Sequence, residues 1–209
     1  MTQPLDRNCN LPQIGALDRE AGEFWVSNPF ALQQKRHNLS AYERNRFYLN
    51  CPGQPFLNAS YSSQADIDAD SRAAIAADFN NDGKPDLLVS SAGGGVLRLF
   101  HNRFPQTTNY VRFDLVGTHS NRSAIGARLL ARCGGRQIVR DLFPTNACQG
   151  MAPAEMLIGV GKAEQIDHLT VRWPSGKIQQ FDNLPVNTTI TLSEGNDDYQ
   201  AALPEAAQQ

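Results

Sequence analysis

The residues of this chain best suited to chemistry lie in one short run, Asp78-Phe79-Asn80-Asn81-Asp82-Gly83-Lys84-Pro85-Asp86. Asp78, Asn80, Asp82 and Asp86 stand at positions 1, 3, 5 and 9 of that run. Alternate residues of a tight loop turn inward together, so these side chains offer oxygen to one point. Hard cations such as Ca²⁺ take about six to eight oxygens, from carboxylates, amide carbonyls and backbone carbonyls. Gly83 allows the backbone turn that closes such a loop. The carbonyl of Lys84 is the expected donor at position 7, with its charged side chain pointing away. The run holds neither Cys nor His, which argues against a zinc-type site. The plainer alternative is a solvated hairpin turn, because Asn, Asp and Gly form turns without any ion. An EF-hand is excluded, since Val89 stands where that loop carries its bidentate Glu. The flanking runs Ala73–Ala77 and Leu87–Val89 are short and apolar, so an ion here would staple a β-hairpin.

A second acidic run precedes the loop. Asp66, Asp68 and Asp70 alternate and are followed by Arg72. Three like charges repel one another unless Arg72 or a cation compensates them. They would then add ligands to the first ion or hold a second one. The alternative is a solvated acidic loop, as the run lacks the glycine and the later acid of a full site.

These loops need elements to hold them. Ile14, Leu17, Ala21, Phe24 and Trp25 recur at spacings of three and four, which predicts a helix from Pro12 to Trp25 that ends at Asn28-Pro29. Strands are expected over Asn45–Asn50 and Phe56–Tyr61, with a turn at Cys51–Pro55. Val96–Phe100 follows the calcium-type loop. From Tyr110 onward the pattern is of short alternating runs. They are Tyr110–Leu115, Gly126–Ala131, Gln137–Leu142, Met156–Val160, Ile166–Trp173, Lys177–Phe181 and Thr188–Leu192. Such runs, bounded by Gly, Pro or Asn, predict a sandwich or barrel. The tail after Gly195 is polar and rich in Ala and Gln, and is expected to be disordered. Trp173 is expected in the core.

The 209 residues suffice for one domain or two small ones with a real core. The formal net charge is −2, with no basic run, so nucleic acid is excluded as a partner. No apolar stretch reaches the length of a membrane span. The opening residues lack the basic and then apolar pattern of a signal peptide. Cys9, Cys51, Cys133 and Cys148 lie far apart with no CxxC spacing. Two disulfides, with Cys133 to Cys148 the easiest pair, and free thiols are both compatible with that spacing.

Two stretches carry a family likeness. Ala77–Val89 resembles the calcium-binding core of FG-GAP (VCBS-type) repeats, the blades of integrin-like propellers. Gly117–Arg128, Gly159-Val160-Gly161, Arg172-Trp173-Pro174-Ser175-Gly176-Lys177 and Glu194-Gly195 resemble the ASPIC/UnbV domain. The order of the two resembles the cartilage acidic protein 1-like family. The likeness implies a mainly β chain: a calcium hairpin unit over 44–106 packed on an ASPIC/UnbV-like β-sandwich over 107–195. The N-terminal arm and helix occupy 1–43, and the tail 196–209. The single FG-GAP copy departs from relatives that carry enough repeats for a propeller. One blade cannot close a ring, so it must pack on the β domain, the helix or another subunit.

The resemblance implies calcium binding and extracellular or periplasmic placement. The absence of a signal pattern leaves the cytoplasm open. It also implies adhesion-type contacts with a protein or glycan, a second copy of the chain included, and no general catalytic set. No Gly-x-Ser-x-Gly or His-Glu-x-x-His occurs, and His37, His101, His119 and His168 are scattered. Three functions stay open. One is a calcium-binding β-rich recognition module. Another is a small Ca²⁺-dependent biosynthetic enzyme of cyclase or isomerase type, with its site near the loop. The third is a stand-alone subunit whose partner supplies missing propeller blades.

Overall fold

Short apolar runs broken by Gly, Pro and Asn leave the backbone one main way to satisfy its N–H and C=O groups, which is pairing between strands. The computed structural model describes residues 44–51, 53–67, 69, 71–91, 96–105, 107–147 and 150–203. These residues form strands, turns and irregular chain, with no helix among them. The helix expected over 12–25 lies outside the described residues. The described parts of Met1–Ser71 and Ser91–Val96 make one unit, and those of Arg72–Ser90 and Leu97–Gln209 the other.

In the first unit, β1 (Tyr48–Leu49) and β2 (Leu57–Asn58) pair antiparallel. The two strands are shorter than their sequence runs. Side chains replace the ladder beyond them: the Ser60 hydroxyl accepts from the Phe47 N–H at 2.8 Å and donates to Asn58 Oδ1 at 2.6 Å.

The second unit begins with a three-stranded sheet of β3 (Ser71–Ala77), β4 (Asp86–Ser91) and β5 (Arg98–Phe100), in that order. The run Asp78–Pro85 is the connection between β3 and β4. Then come β6 (Asn109–Val116), β7 (Arg128–Cys133), β8 (Arg136–Asp141), β9 (Thr145–Ala147), β10 (Gly150–Met151), β11 (Glu155–Gly161), β12 (Gln165–Arg172), β13 (Ile178–Pro185), β14 (Thr188–Ser193) and β15 (Tyr199–Ala202). Two four-stranded sheets result, ordered β11-β6-β14-β15 and β13-β12-β7-β8. β14 runs parallel to β6, whereas β6 and β11 pair antiparallel. The expected tail is ordered in part: Tyr199–Ala202 pairs with β14. Its polar composition reflects an edge strand with all four residues exposed.

Period-two alternation sends one set of side chains from each sheet inward. Val111, Phe113, Ile158, Val160 and Ile190 meet Leu129, Ile166, Leu169, Val171 and Leu184, all of them fully buried. Trp173 joins this core at 1% exposure, as expected, and its Nε1 has no acceptor among the described residues. Cys133 is a buried free thiol of the same core and Cys51 is also free. Cys9 and Cys148 lie outside the described residues.

One carboxylate ties the turns together. Glu194, only 3% exposed, accepts the N–H groups of Thr118, His119 and Ser120 at 2.9, 2.8 and 2.7 Å. The hydroxyl of Ser120 donates to it at 3.0 Å, and that of Ser175 donates to it as well. Burial alone would push this carboxyl up. The Ser175 hydroxyl and the three backbone N–H groups outweigh burial and hold it at about 2, against an ordinary 4.5.

Because the folded value lies below the unfolded one, Glu194 stabilises the fold fully above about pH 4.5. That contribution is lost as pH falls toward about 2. Glu194→Gln should therefore flatten the acid limb of a melting-temperature profile between those values and leave a lower melting temperature at pH 7. Leu169→Ala should cost about 2–5 kcal/mol in a denaturant titration, as a large-to-small change at a fully buried site.

Candidate metal centre

Asx-type side-chain bonds curl the β3–β4 connection on itself. The Asp82 N–H donates both to Asp78 Oδ1 at 3.1 Å and to Asn80 Oδ1 at 3.2 Å, so oxygens of positions 1 and 3 converge on one point. The Gly83 N–H donates to Asp78 Oδ2 at 2.8 Å, and the Lys84 N–H to Asp82 Oδ1 at 2.9 Å. Asn81 at φ +59° and Gly83 at φ +81° make the reversal. A Cβ on Gly83 would drive into the Tyr110 ring, so glycine is required by packing as well as by backbone.

Asp86 closes the loop from its far end. Its Oδ2 accepts the Phe79 N–H at 3.1 Å and its Oδ1 the Asn102 N–H at 2.7 Å. The side chains of Asp78 and Asp86 are fully buried, and that of Asp82 is 30% exposed. The Lys84 side chain does not point away. Its ammonium folds back onto Asp82 Oδ2 at 3.1 Å, because that partly exposed carboxylate is the nearest countercharge. Burial pushes the Asp82 carboxyl up, and the bonds from Lys84 and Asn80 overcome it and leave it lowered.

A strand of the sandwich completes the site. Arg112 alternates with the core residues Val111 and Phe113 on β6, and so faces the loop. Its Nη2 bonds Asp78 Oδ2 at 2.5 Å and its Nη1 bonds Asn81 Oδ1 at 2.6 Å. Its Nε is buried without a hydrogen-bond partner, 3.8 Å from Glu155 Oε2. Glu155 lies directly opposite Asp114 in the β11–β6 pair. Burial raises both carboxyls while Arg112 pulls each down, and Asp114 and Asp78 push Glu155 further up. Tyr110 is likewise raised, by burial first and then by the Asp78 charge.

Asp66 sits in the first unit, where Arg44 Nε bonds its carboxylate at 2.8 Å. Asp68 and Asp70 lie outside the described residues, and Arg72 is an exposed residue of β3. Among the described residues, no three His, Cys, Asp or Glu side chains stand close enough together to hold an ion. The donor chemistry of the loop still fits a hard cation. Asp78, Asn80, Asp82, Asp86 and the Lys84 carbonyl are all oxygen donors, and the first two already converge. The present contacts engage those oxygens with N–H groups, one guanidinium and one ammonium, and the His101 imidazole stands 3.6 Å from Asp86 Oδ2.

Comparison with family models places residues 71–111 in the FG-GAP repeat and residues 117–198 in the family described as ASPIC and UnbV. The chain carries one FG-GAP repeat followed by an ASPIC/UnbV domain. No curated protein matches the sequence. Domains of these two kinds are typical of extracellular or periplasmic proteins, and FG-GAP repeats mediate protein interactions. Among the described residues, no helix is long and apolar enough to cross a membrane.

The ASPIC/UnbV motifs explain themselves in the Glu194 knot. The Arg172–Gly176 segment ends β12, turns with Gly176 N–H on Trp173 O at 2.9 Å, and delivers Ser175 to Glu194. Sequence reasoning missed Arg112, Tyr110 and Glu155 as neighbours of the FG-GAP loop. The signal available was the alternation of Tyr110, Arg112 and Asp114 with an apolar inner set. His168 falls in the expected run Ile166–Trp173, with no partner foreseen for its ring. That ring bonds Asp182 at 2.6 Å and Thr170 at 3.2 Å on an open sheet face, with Asp182 66% exposed. The trio has the residue types of a relay but no enclosed site over it, and serves as a polar cross-strand contact.

Gly83→Ala should lower the melting temperature by forcing both a strained φ and a displaced Tyr110 ring. Measured against Tyr110→Ala alone, a smaller loss from Gly83→Ala in that background than in the wild type would mark the ring clash as the larger cause. An equal loss in both backgrounds would assign it to φ.

Proposed function

We propose that this chain is a calcium-binding, β-rich module that recognises a protein or glycan in an extracellular or periplasmic setting. Its relationship to the cartilage acidic protein 1-like family is part of that reading. The observation that carries it is the curl of the FG-GAP loop, which points the oxygens of Asp78 and Asn80 at one point with Asp82 and Asp86 in the same turn. Asp78, Asn80, Asp82, Asp86 and the Lys84 carbonyl hold the ion, which bound there would staple β3 to β4. The acidic run Asp66, Asp68 and Asp70, with Arg72 as its countercharge, is a second oxygen-donor stretch for a metal or another ligand.

A cleft of about 450 Å³ beside the loop favours a second reading. Tyr110, Arg140, Glu155, Lys84, Pro153 and Leu157 are among the residues that line it, mixing charge with apolar surface. A small biosynthetic enzyme of cyclase or isomerase type would use Glu155, a cleft carboxyl that burial pushes above its ordinary range, to accept or donate a proton. Bound Ca²⁺ would supply structure or Lewis acidity. Melting-temperature shifts with small-molecule libraries, abolished by Glu155→Gln, would support the enzyme. Capture of glycans or proteins on arrays, unaffected by that change, would support recognition.

Melting curves in chelator and in millimolar Ca²⁺, with Mg²⁺ as control, test the ion. Saturation about 100-fold above Kd stabilises by about 2.7 kcal/mol, a rise of several degrees for Ca²⁺ alone. Asp82→Ala should abolish that rise. Identical curves with and without Ca²⁺, in protein that metal analysis shows to be ion-free, would sink the calcium reading.

A further inference from the structure

Arg112 lies in the short stretch 112–116 between the two matched segments, so neither family model accounts for it. Its guanidinium nevertheless makes the closest charged contact to the first ligand position of the loop. Nη2 bonds Asp78 Oδ2 at 2.5 Å, while Nη1 bonds Asn81 Oδ1 at 2.6 Å. Asn81 is position 4 of the loop and supplies none of the proposed ligands. Arg112 therefore grips both a ligand and its non-ligating neighbour.

We propose that Arg112 is a built-in counter-cation that holds the FG-GAP loop when no ion is bound and competes with Ca²⁺ for Asp78. This rests on the calcium reading above. The Asp78 carboxylate has 0% exposed side-chain surface, so its charge needs a partner at all times. Its Oδ1 already accepts the Asp82 N–H, and its Oδ2 accepts both the Gly83 N–H and Arg112. An ion bound by Asp78 must share or displace the guanidinium, and two cations a few ångströms apart repel. The displaced group has a destination. Its Nε is buried without a partner, and Glu155 Oε2 stands 3.8 Å away. Arg112 thus sits between two acceptors, Asp78 on the loop and Glu155 in the cleft. Occupancy of the loop would decide which one it serves.

The test uses the full chain, calcium chloride and two variants. Arg112→Gln removes the competing charge. Asn81→Gly accepts the positive φ of that position and removes the side chain whose oxygen anchors Nη1. In chelator, Arg112→Gln should melt below the wild type. By calorimetric titration it should bind Ca²⁺ at least about tenfold more tightly, the effect of removing one nearby positive charge. Asn81→Gly should tighten binding by a smaller factor and still fold if Arg112→Gln does not. Wild-type binding with no tightening in either variant overturns the role of Arg112 and leaves the calcium reading intact. Tight binding by Arg112→Gln with none by the wild type supports the competition and removes the calcium reading for the native chain.

Discussion

The Asp78 carboxylate is wholly out of water, and an isolated buried charge costs far more than one side chain returns elsewhere. Everything around the FG-GAP loop answers that constraint. The loop curls so that Asp82 and Gly83 present their N–H groups to it, and β6 presents Arg112. Gly83 must be glycine because the curl brings it against Tyr110, two residues from Arg112 on the same face of β6. The sheet that buries a hydrophobic core on one side therefore carries, on the other, the charge that the loop needs. Sequence, loop geometry and sheet register are joined at a single ion pair.

Glu194 obeys the same logic by different means. Asp78 is met by two N–H groups and a cation, whereas Glu194 is met by three consecutive N–H groups and two hydroxyls, with no cation in contact among the described residues. Its hydrogen bonds favour the charged form strongly enough to overcome burial, which is why its carboxyl is held low. The turn at Gly117–Ser120, the turn at Ser175 and the end of β14 are far apart in sequence. One carboxylate joins them. A network of this kind specifies which turns meet, a matter that the apolar core, tolerant of similar shapes, does not decide as sharply.

Much of this is legible in the order of the amino acids. Alternation locates β6, β7, β11, β12, β13 and β14 to within a few residues, because each buries one face in a shared core, while β8 is an exposed edge strand that turns only Ile138 toward it. The oxygen spacing of Asp78 to Asp86 locates the loop, and Trp173 falls in the core where its size and flanking turn put it. The misses have physical causes. β15 is an exposed edge strand, so it lacks the apolar face by which strands are recognised. The Lys84 side chain follows a local countercharge that a ligand template ignores. Arg112, Glu155 and the Thr118–Ser120 nest for Glu194 act between residues far apart in the chain or through backbone N–H groups, and neither leaves a mark in local composition.

The FG-GAP repeat matched at residues 71–111 poses a physical question, since a repeat unit is normally supported by its neighbours. Within the second unit, the sheet that carries β6 takes the neighbour's place for the loop. The contact it offers is largely polar: Arg112 on Asp78 and Asn81, with the Tyr110 ring over Gly83 as the apolar part. A purely apolar contact would tolerate sliding by a residue in either direction. An ion pair to a buried carboxylate does not, because a one-residue slip of β6 would turn Arg112 into the core and set Val111 or Phe113 against the charge. The polar contact thus fixes the register of the loop against the sheet, and it does so with a cation supplied by the chain itself.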